Sequence, residues 1–77
     1  MEIYKNLSRD SGVTHYEIGE DYIDVKFIGK STIYIYSNSR TGKRHIDKMK
    51  ILAMNGQGLC TYITQNPSVK KNYNKRY

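Results

Sequence analysis

The first half of the chain contains three short segments with strand-like composition, and in the middle one, residues 22–28, apolar and polar side chains alternate cleanly. The segments VTHYEI (13–18), YIDVKFI (22–28) and STIYIYS (31–37) are rich in β-branched and aromatic residues. A repeat of two with this composition is typical of a strand that buries one face. Turn-forming residues separate the segments at 19–21 and 29–30. The pattern predicts three consecutive antiparallel strands joined by tight turns.

The second half of the chain changes to a helical repeat. Between residues 41 and 54, Ile46, Met49 and Ala53 recur at helical spacing, with Leu52 at the border of the apolar stripe. This spacing places the apolar side chains on one face of a helix, and the charged residues of the segment fall on the other face. The segment is therefore predicted to be an amphipathic helix.

Capping and breaking residues mark the ends of this helix and of a shorter one. Ser39 or Thr41 can cap the start of the long helix through a side-chain oxygen, and the Asn-Gly pair at 55–56 can end it. A second helix is predicted from 59 to about 65. Pro67 ends it, because proline disfavours helical geometry in the residue that precedes it.

These elements predict the fold class α+β: a three-stranded antiparallel β-meander followed by two helices packed on one face, in the order β-β-β-α-α. A chain of 77 residues is expected to form one domain. Its predicted core spans residues 8–66, and residues 67–77 form a basic tail. We expect that tail to be either a last helical turn or a loose arm.

The register of the second hairpin decides which side chains the sheet buries. If residues 29–30 form a two-residue type II′ turn, Val25 lies opposite Tyr34, and Tyr34 and Tyr36 face the core. A three-residue turn would slip the register by one residue and move both tyrosines to the outer face. Because glycine comes first in the pair, we favour the shorter turn and tyrosines that face the core.

In that register Ile33 and Ile35 lie on the outer face of the sheet. An exposed apolar patch of this kind calls for a partner. The partner would be a protein, a second subunit, or the N-terminal segment that contains Ile3 and Leu7. Ile33 and Ile35 are therefore candidate protein-interface residues.

Composition restricts the class of protein. Cys60 is the one cysteine, which rules out an internal disulfide and a cysteine-rich metal site. The first residues lack the apolar run of a signal peptide, and no stretch approaches the roughly 20 apolar residues of a membrane span. We therefore expect a cytoplasmic protein without cofactor or metal. Frequent Lys, Asn, Ile and Tyr suggest an AT-rich bacterial or phage genome.

Charge is distributed unevenly along the chain. Residues 1–25 hold two basic and six acidic side chains, a net charge of −4, whereas residues 26–77 hold eleven basic side chains and one acidic one, a net charge of +10. A strongly basic half is typical of a protein that binds a polyanion, most often nucleic acid. The plainer interpretation is a charged surface that keeps the protein soluble.

No arrangement of residues in the sequence indicates an active site. Cys60, His15 and His45 lack the spacing of a known nucleophile and base, and they are too few and too scattered for a zinc site. The segment NSRTGKRH (38–45) resembles a phosphate loop, but Ser37 stands where that motif has its first glycine. We therefore expect no catalytic residues and no enzymatic activity.

Two groups of basic residues are candidates for phosphate contacts. Lys43 and Arg44 fall in the first helical turn, where the helix dipole disfavours cations by about 0.3–1 kcal/mol each; they are either an anion site or a solvated helix face. The tail interleaves cations with Tyr73 and Tyr77, which suits single-stranded nucleic acid or solubility alone. The candidate nucleic-acid-binding residues are Arg40, Lys43, Arg44, Lys48, Lys70, Lys71, Tyr73, Lys75 and Arg76.

The segment GQGLCTYITQNPSVKKNY (56–73) resembles the closing motif of the KTSC domain, roughly G-x-G-L-N-x-Y-I-x-x-N…V-K-x-x-Y. That family is a short domain found at the C-terminus of some lysyl-tRNA synthetases and in small stand-alone bacterial and phage proteins. Upstream, the strand pattern is similar to the family's Y-D…L-x-V-x-F…Y-x-Y, so the resemblance covers about residues 8–76. The matching positions are Gly56, Gly58, Leu59, Tyr62, Ile63, Asn66, Val69, Lys70 and Tyr73.

The chain departs from the family pattern at three places. Cys60 stands where the family usually has asparagine, residues 38–40 replace a Val-Pro pair, and Pro67 is inserted before the Val-Lys pair. The resemblance implies the β-β-β-α-α order. The family's association with a tRNA-charging enzyme implies RNA or another nucleic acid as partner.

Together these observations predict a small non-enzymatic binding module. Its expected ligand is RNA or single-stranded DNA, bound through a basic helix face and the basic tail. The alternative is a protein-interaction module, such as a small phage-encoded inhibitor of a host protein or a homodimer, in which Ile33 and Ile35 form the interface.

Overall fold

The computed structural model describes residues 1–6 and 12–76. Within them the chain forms an antiparallel sheet of five strands together with three helices, so the predicted class α+β is confirmed. The order of strands in the sheet is β1-β2-β3-β4-β5. The elements in chain order are β1 (Glu2–Ile3), β2 (Val13–Ile18), β3 (Tyr22–Phe27), β4 (Ile33–Ser37), α1 (Lys43–Asn55), α2 (Leu59–Gln65), α3 (Pro67–Lys70) and β5 (Asn74–Arg76).

The predicted strands correspond to β2, β3 and β4. β2 has the predicted bounds, β3 ends one residue early, and β4 begins two residues late. The register of the β3–β4 hairpin is the predicted one, with Val25 opposite Tyr34 and Ile23 opposite Tyr36. The tyrosines of β4 therefore share the face on which Ile23 and Val25 are buried.

The turn between β3 and β4 is of a different type from the one predicted. The N–H of Lys30 donates to the carbonyl oxygen of Phe27 over 3.2 Å, so the turn spans residues 27–30. Gly29 takes its third position with φ +74°, where a type II turn requires glycine. The predicted type II′ turn, with glycine at the second position, is therefore wrong, although the register is right.

Two strands extend the sheet beyond the predicted meander, one at each edge. β1 pairs with β2, and β5 pairs with β4, so the sheet has two more strands than the β-β-β-α-α prediction contains. Tyr4 follows β1 and is buried, and its hydroxyl accepts a 3.2 Å hydrogen bond from the N–H of Leu59. The N-terminal segment is thereby joined to the start of α2.

α1 has the predicted apolar face and the predicted end. Ile46, Met49 and Ala53 are buried, and Gly56 ends the helix in the left-handed conformation, with φ +77°. Its start differs from the prediction, because Gly42 occupies the N-cap position without a side-chain capping bond. Neither Ser39 nor Thr41 caps the helix, so that prediction is wrong.

The tail folds into a helical turn followed by a strand. Asn66, which ends α2, has the extended conformation predicted before Pro67. Pro67 then begins α3, because the first helical position needs no donated hydrogen bond. Val69 of α3 is fully buried in the core, so these residues pack as part of the domain. Tyr77 lies outside the described residues.

The core lies between the helices and one face of the sheet. Val13, Ile23 and Val25 from the sheet form one buried cluster with Ile46 and Met49 from α1. These side chains are at most 1 % exposed. The face that they share is the one that positions the aromatic side chains of the candidate site.

The outer face of the sheet contains Ile33 and Ile35, both half-buried. Ile3 was one candidate to cover them, but β1 lies at the sheet edge beyond β2 and β3, and Ile3 is 74 % exposed. Leu7, the other candidate, lies outside the described residues. Within the described residues Ile3 therefore does not cover the isoleucines of β4.

Candidate nucleic-acid interface

A cleft of about 250 Å³ opens between the β3–β4 hairpin and the pair α2 and α3. We call it the lysine–tyrosine cleft. Its position follows from the hairpin register, which points the aromatic side chains of β3 and β4 towards the helices. It is lined by Phe27, Lys30, Tyr34, Tyr36, Ile63, Thr64, Lys70 and Tyr73.

The aromatic rings of the cleft contact one another edge to face. The ring centroids of Tyr34 and Tyr73 are 4.8 Å apart at an interplanar angle of 85°, and those of Phe27 and Tyr34 are 5.3 Å apart. Tyr36 contacts Tyr73 at 5.9 Å. This geometry is the one that aromatic quadrupoles favour. It holds Tyr34 and Tyr73, both half-buried, with part of each side chain accessible.

Lysine side chains converge on these rings. The Nζ of Lys30 lies 5.8 Å from the centroid of Tyr34 and 3.5 Å from its hydroxyl oxygen. The Nζ of Lys75 lies 6.0 Å from the centroid of Tyr34 and 5.8 Å from that of Tyr73. Both distances to Tyr34 are within cation–π range. Two ammonium groups are thus held beside one aromatic ring, with Lys70 on the cleft wall.

The cleft lysines have no carboxylate partner among the described residues. The ion pairs found there join Lys43 to Asp47 and Arg76 to Asp24. Neither pair includes a lysine of the cleft, and its lining contains no acidic side chain. An anion that entered the cleft would therefore meet positive charge that is not already neutralised.

Tyr36 forms the buried end of the cleft and is 2 % exposed. Burial raises the pKa of its hydroxyl well above the ordinary value, and the neighbouring Tyr73 and Tyr34 raise it further. The hydroxyl therefore stays protonated at any physiological pH. It offers the cleft a neutral group that can donate or accept a hydrogen bond.

The predicted basic residues at the start of α1 are exposed, and they lie apart from the cleft lining. Lys43 and Arg44 form the first turn of α1, as predicted, and that turn contains no acidic side chain. The Nζ of Lys43 pairs with Asp47 at 2.8 Å. Arg40 and Lys48 are also exposed.

A hydrogen bond joins this region to the tail. The hydroxyl of Thr41 donates to the carbonyl oxygen of Asn72 over 2.6 Å. It ties the loop before α1 to the segment between α3 and β5, next to the exposed Lys71. The start of α1 is therefore connected through Asn72 to Tyr73, which lines the cleft.

Arg76 faces away from the other basic residues of the tail. It lies opposite Ile33, whereas Lys75 lies opposite Tyr34, so the two side chains point to opposite faces of the sheet. The Nη2 of Arg76 donates to Oδ2 of Asp24 over 3.2 Å. Arg76 thus ties β5 to β3 across β4, on the face opposite the cleft.

Asp24 is a buried carboxylate on the outer face. It is 2 % exposed, and its Oδ1 has no hydrogen-bond partner within the described parts of the chain. Burial raises the pKa of Asp24 above its ordinary value; the Arg76 guanidinium opposes this effect, and the Glu17 carboxylate adds to it. The pair with Arg76 therefore compensates the buried charge only in part.

The structure brings together Lys70, Tyr73 and Lys75 from the predicted site residues. Sequence reasoning missed Lys30 and Phe27 as members of this site. The signal that identifies them is the hairpin register, which places Phe27 and Tyr34 on the same face and Lys30 at the turn beside them. The contacts between the tail and the hairpin have no local signal in the sequence, because they join residues far apart along the chain.

The site belongs to a small α+β domain with a cationic, aromatic cleft. Comparison with protein-family models, curated proteins and solved structures finds no match. The resemblance to the KTSC domain therefore stays a prediction that rests on the matching residues in 56–73. Several of those residues have structural roles here: Leu59, Ile63 and Val69 are in the core.

Residues 1–6 and 12–76 contain no group of three His, Cys, Asp or Glu side chains placed to hold a metal ion. In the same residues, no helix has the length and apolar content that crossing a membrane requires.

Proposed function

We propose that this protein is a non-enzymatic module that binds single-stranded nucleic acid, RNA or DNA, with the lysine–tyrosine cleft at the centre of the interface. The supporting observation is the convergence of lysines without a carboxylate partner on partly accessible tyrosine rings. A nucleotide can contact both kinds of group, because its base can stack on a tyrosine ring and its anionic phosphate can pair with a lysine.

The base and the phosphates of the bound strand contact different side chains of the cleft. A base stacks against Tyr34 or Tyr73, whose half-buried rings line the cleft, and stacking of this kind typically contributes about 1–3 kcal/mol per base. Lys30 and Lys75 contact the flanking phosphates. Bases in a duplex are already stacked on each other, so an unpaired strand fits this arrangement better.

The rest of the interface extends from the cleft along the tail to the start of α1. Lys70 and Lys71 continue the basic surface from the cleft, and the Thr41–Asn72 hydrogen bond joins it to the loop that contains Arg40. Lys43, Arg44 and Lys48 add phosphate contacts that do not depend on base sequence.

The test is fluorescence anisotropy with a labelled single-stranded oligonucleotide at low salt, comparing two variants of equal charge. Lys75→Gln removes the ammonium group beside the rings of Tyr34 and Tyr73. Lys50→Gln removes one outside the cleft lining, where Lys50 donates to the carbonyl oxygen of Glu20. We expect Lys75→Gln to weaken binding several-fold more than Lys50→Gln, because it removes a local contact as well as a unit of net charge. Equal losses would contradict a site in the cleft, and no binding by the wild type would contradict the proposed function.

A second candidate is a protein-interaction module. The observation that favours it is the outer face of the sheet, where Ile33 and Ile35 are adjacent on one side of β4 while the buried core lies on the other face. The test is a pull-down from host lysate with and without nuclease. A protein that nuclease does not release, and that an Ile33→Thr variant fails to capture, would favour this candidate.

A further inference from the structure

The sheet edge opposite the cleft carries a second recess with the reverse chemistry. A groove of about 410 Å³ lies between β1, β2 and the end of α1. We call it the acidic groove; it is lined by Met1, Glu2, Tyr16, Glu17, Ile18 and Met54. It is independent of the lysine–tyrosine cleft and shares no lining residue with it.

Apolar side chains are unusually exposed at this groove. Met54 is 55 % exposed and Ile18 is 36 % exposed. Ile51, one helical turn before Met54 and outside the groove lining, is 50 % exposed. Apolar side chains that lie together in a groove with a polar rim are typical of a docking site for another protein, and methionine adapts its shape to different partners.

Among residues 1–6 and 12–76, β1 pairs with a neighbouring strand on one side only. The N–H of Tyr4 donates to the carbonyl oxygen of Thr14, and Glu2 lies opposite Tyr16. Because alternate residues of a strand direct their backbone groups to opposite sides, Ile3 directs its N–H and C=O away from β2. β1 is the edge strand, so these groups are placed to pair with an added strand.

Charge identifies the chemistry of the occupant. Glu2 and Glu17 both line the groove and are exposed. Glu2 lies on the face that carries Tyr16 and Ile18, and Glu17 lies on the opposite face. We propose that the acidic groove docks an extended basic segment of a partner protein, which adds to the sheet along β1. Its alternate apolar side chains would contact Ile18 and Met54 on the groove face. Its lysine or arginine side chains would lie on the opposite face and pair with Glu17.

The probe is a blocked hexapeptide that alternates lysine and valine, titrated into protein with labelled isoleucine and methionine methyl groups. We expect shifts at Ile18 and Met54 and none at Ile28, which is 71 % exposed at the far hairpin. A peptide that alternates glutamate and valine should leave the spectrum unchanged. Shifts at Ile28 equal to those at Met54, or equal binding of the acidic peptide, would overturn the proposal.

Two variants test the groove itself. Met54→Lys should weaken binding of the basic peptide about tenfold or more, because it removes apolar contact and adds like charge. Ile28→Lys is the matched control, since it makes the same kind of change at an exposed position away from the groove, and it should bind as the wild type does. Equal affinities for Met54→Lys and wild type would overturn the proposal.

N-methylation of the peptide tests strand addition. Two isomers, methylated on alternate sets of amides, block one hydrogen-bonding edge each. A strand added to β1 uses one edge, so one isomer should lose binding and the other retain it. Equal affinity of the two isomers would overturn strand addition. If the free protein self-associates through the same methyl groups, the occupant is a second copy of this chain, and the proposal of a separate partner protein is overturned.

Discussion

The two tyrosines of β4 have different roles because they are buried to different extents. Tyr36 is buried with its hydroxyl held neutral, whereas Tyr34, two residues earlier on the same face, is accessible at the cleft. The sequence predicted the shared face from the alternation and the glycine turn. It could not predict which tyrosine is accessible, because that depends on where α2 and α3 pack.

Tyr62 packs against the core and joins α1 to α2. Its hydroxyl lies 2.7 Å from Nδ1 of His45, and the two rings meet edge to face. Tyr62→Ala should destabilise the domain by about 3–5 kcal/mol, which is enough to unfold so small a core. Tyr62→Phe loses only the hydrogen bond and should cost about 1 kcal/mol.

Thermal unfolding followed by circular dichroism measures both Tyr62 variants, with oligonucleotide binding as the second readout. A Tyr62→Ala variant that melts as the wild type does but has lost binding would show that Tyr62 contacts the ligand. The prediction of a structural role would then be wrong.

Asp24 should make stability depend on pH in the direction opposite to a well-paired carboxylate. Because its pKa is raised in the folded state, the folded protein retains the proton to higher pH than the unfolded chain does. Its contribution to stability therefore falls as pH rises from the unfolded pKa to the folded pKa, and stays low above both. The Asp24→Asn side chain cannot ionise, so the variant does not lose stability in this way as pH rises.

Urea denaturation of wild type and Asp24→Asn at a series of pH values isolates this contribution. The stability of the wild type relative to Asp24→Asn should increase as pH is lowered from about 7 to about 4, close to the ordinary pKa of the group. A difference that stays constant over that range would show that burial does not perturb Asp24.

Elements were predicted where they are long enough to show a period. α1 and β3 were placed by their repeats, and Ile46, Met49 and Ala53 are buried as expected. β1 and β5 have two and three residues, which is too few for an alternation. They exist because β2 and β4 offer edges to pair with, and such long-range pairing has no local signal.

The first turn of α1 combines cations with the positive end of the helix dipole. Lys43→Ala with Arg44→Ala should lower oligonucleotide affinity by a similar factor for all sequences and flatten the log–log salt dependence by about 1.4 on single strands. Stability should stay unchanged or rise slightly, because the relief at the helix start offsets the loss of the exposed Lys43–Asp47 pair.

The matched control for that variant is Lys5→Ala with Lys50→Ala, which removes the same charge at two positions outside the proposed interface. The control should leave the salt dependence closer to that of the wild type. If the two double variants behave alike, net charge alone governs affinity, and the helix start is not a contact.

The whole molecule is electrically polar across its sheet. The acidic groove, with Glu2 and Glu17, lies at the β1 edge. The lysine–tyrosine cleft, with Lys30 and Lys70, lies between the β3–β4 hairpin and the helices α2 and α3. The sequence predicted this polarity from the charge of its two halves. The separation of charge along the chain becomes a separation in space, because the strands follow chain order across the sheet.

This polarity predicts how binding responds to salt. Four to six phosphate contacts on a single strand should give a log–log slope of about −3 to −4, with weak dependence on base sequence. Duplex DNA of equal length should bind more weakly at the same salt, because its bases cannot enter the cleft. Anisotropy titrations at several salt concentrations measure both, and a flat salt response would contradict phosphate contacts.

The sequential order of the strands also has a consequence for folding kinetics. β2, β3 and β4 are joined by tight turns and can pair early, whereas β5 must wait until the helices between Lys43 and Lys70 have packed. The exposed residues of β5 should also open at lower free energy than those of β3. Because Lys75 lies in β5, the cleft should be the last part to assemble and the first to open, and a bound strand should slow amide exchange at β5 more than at β3.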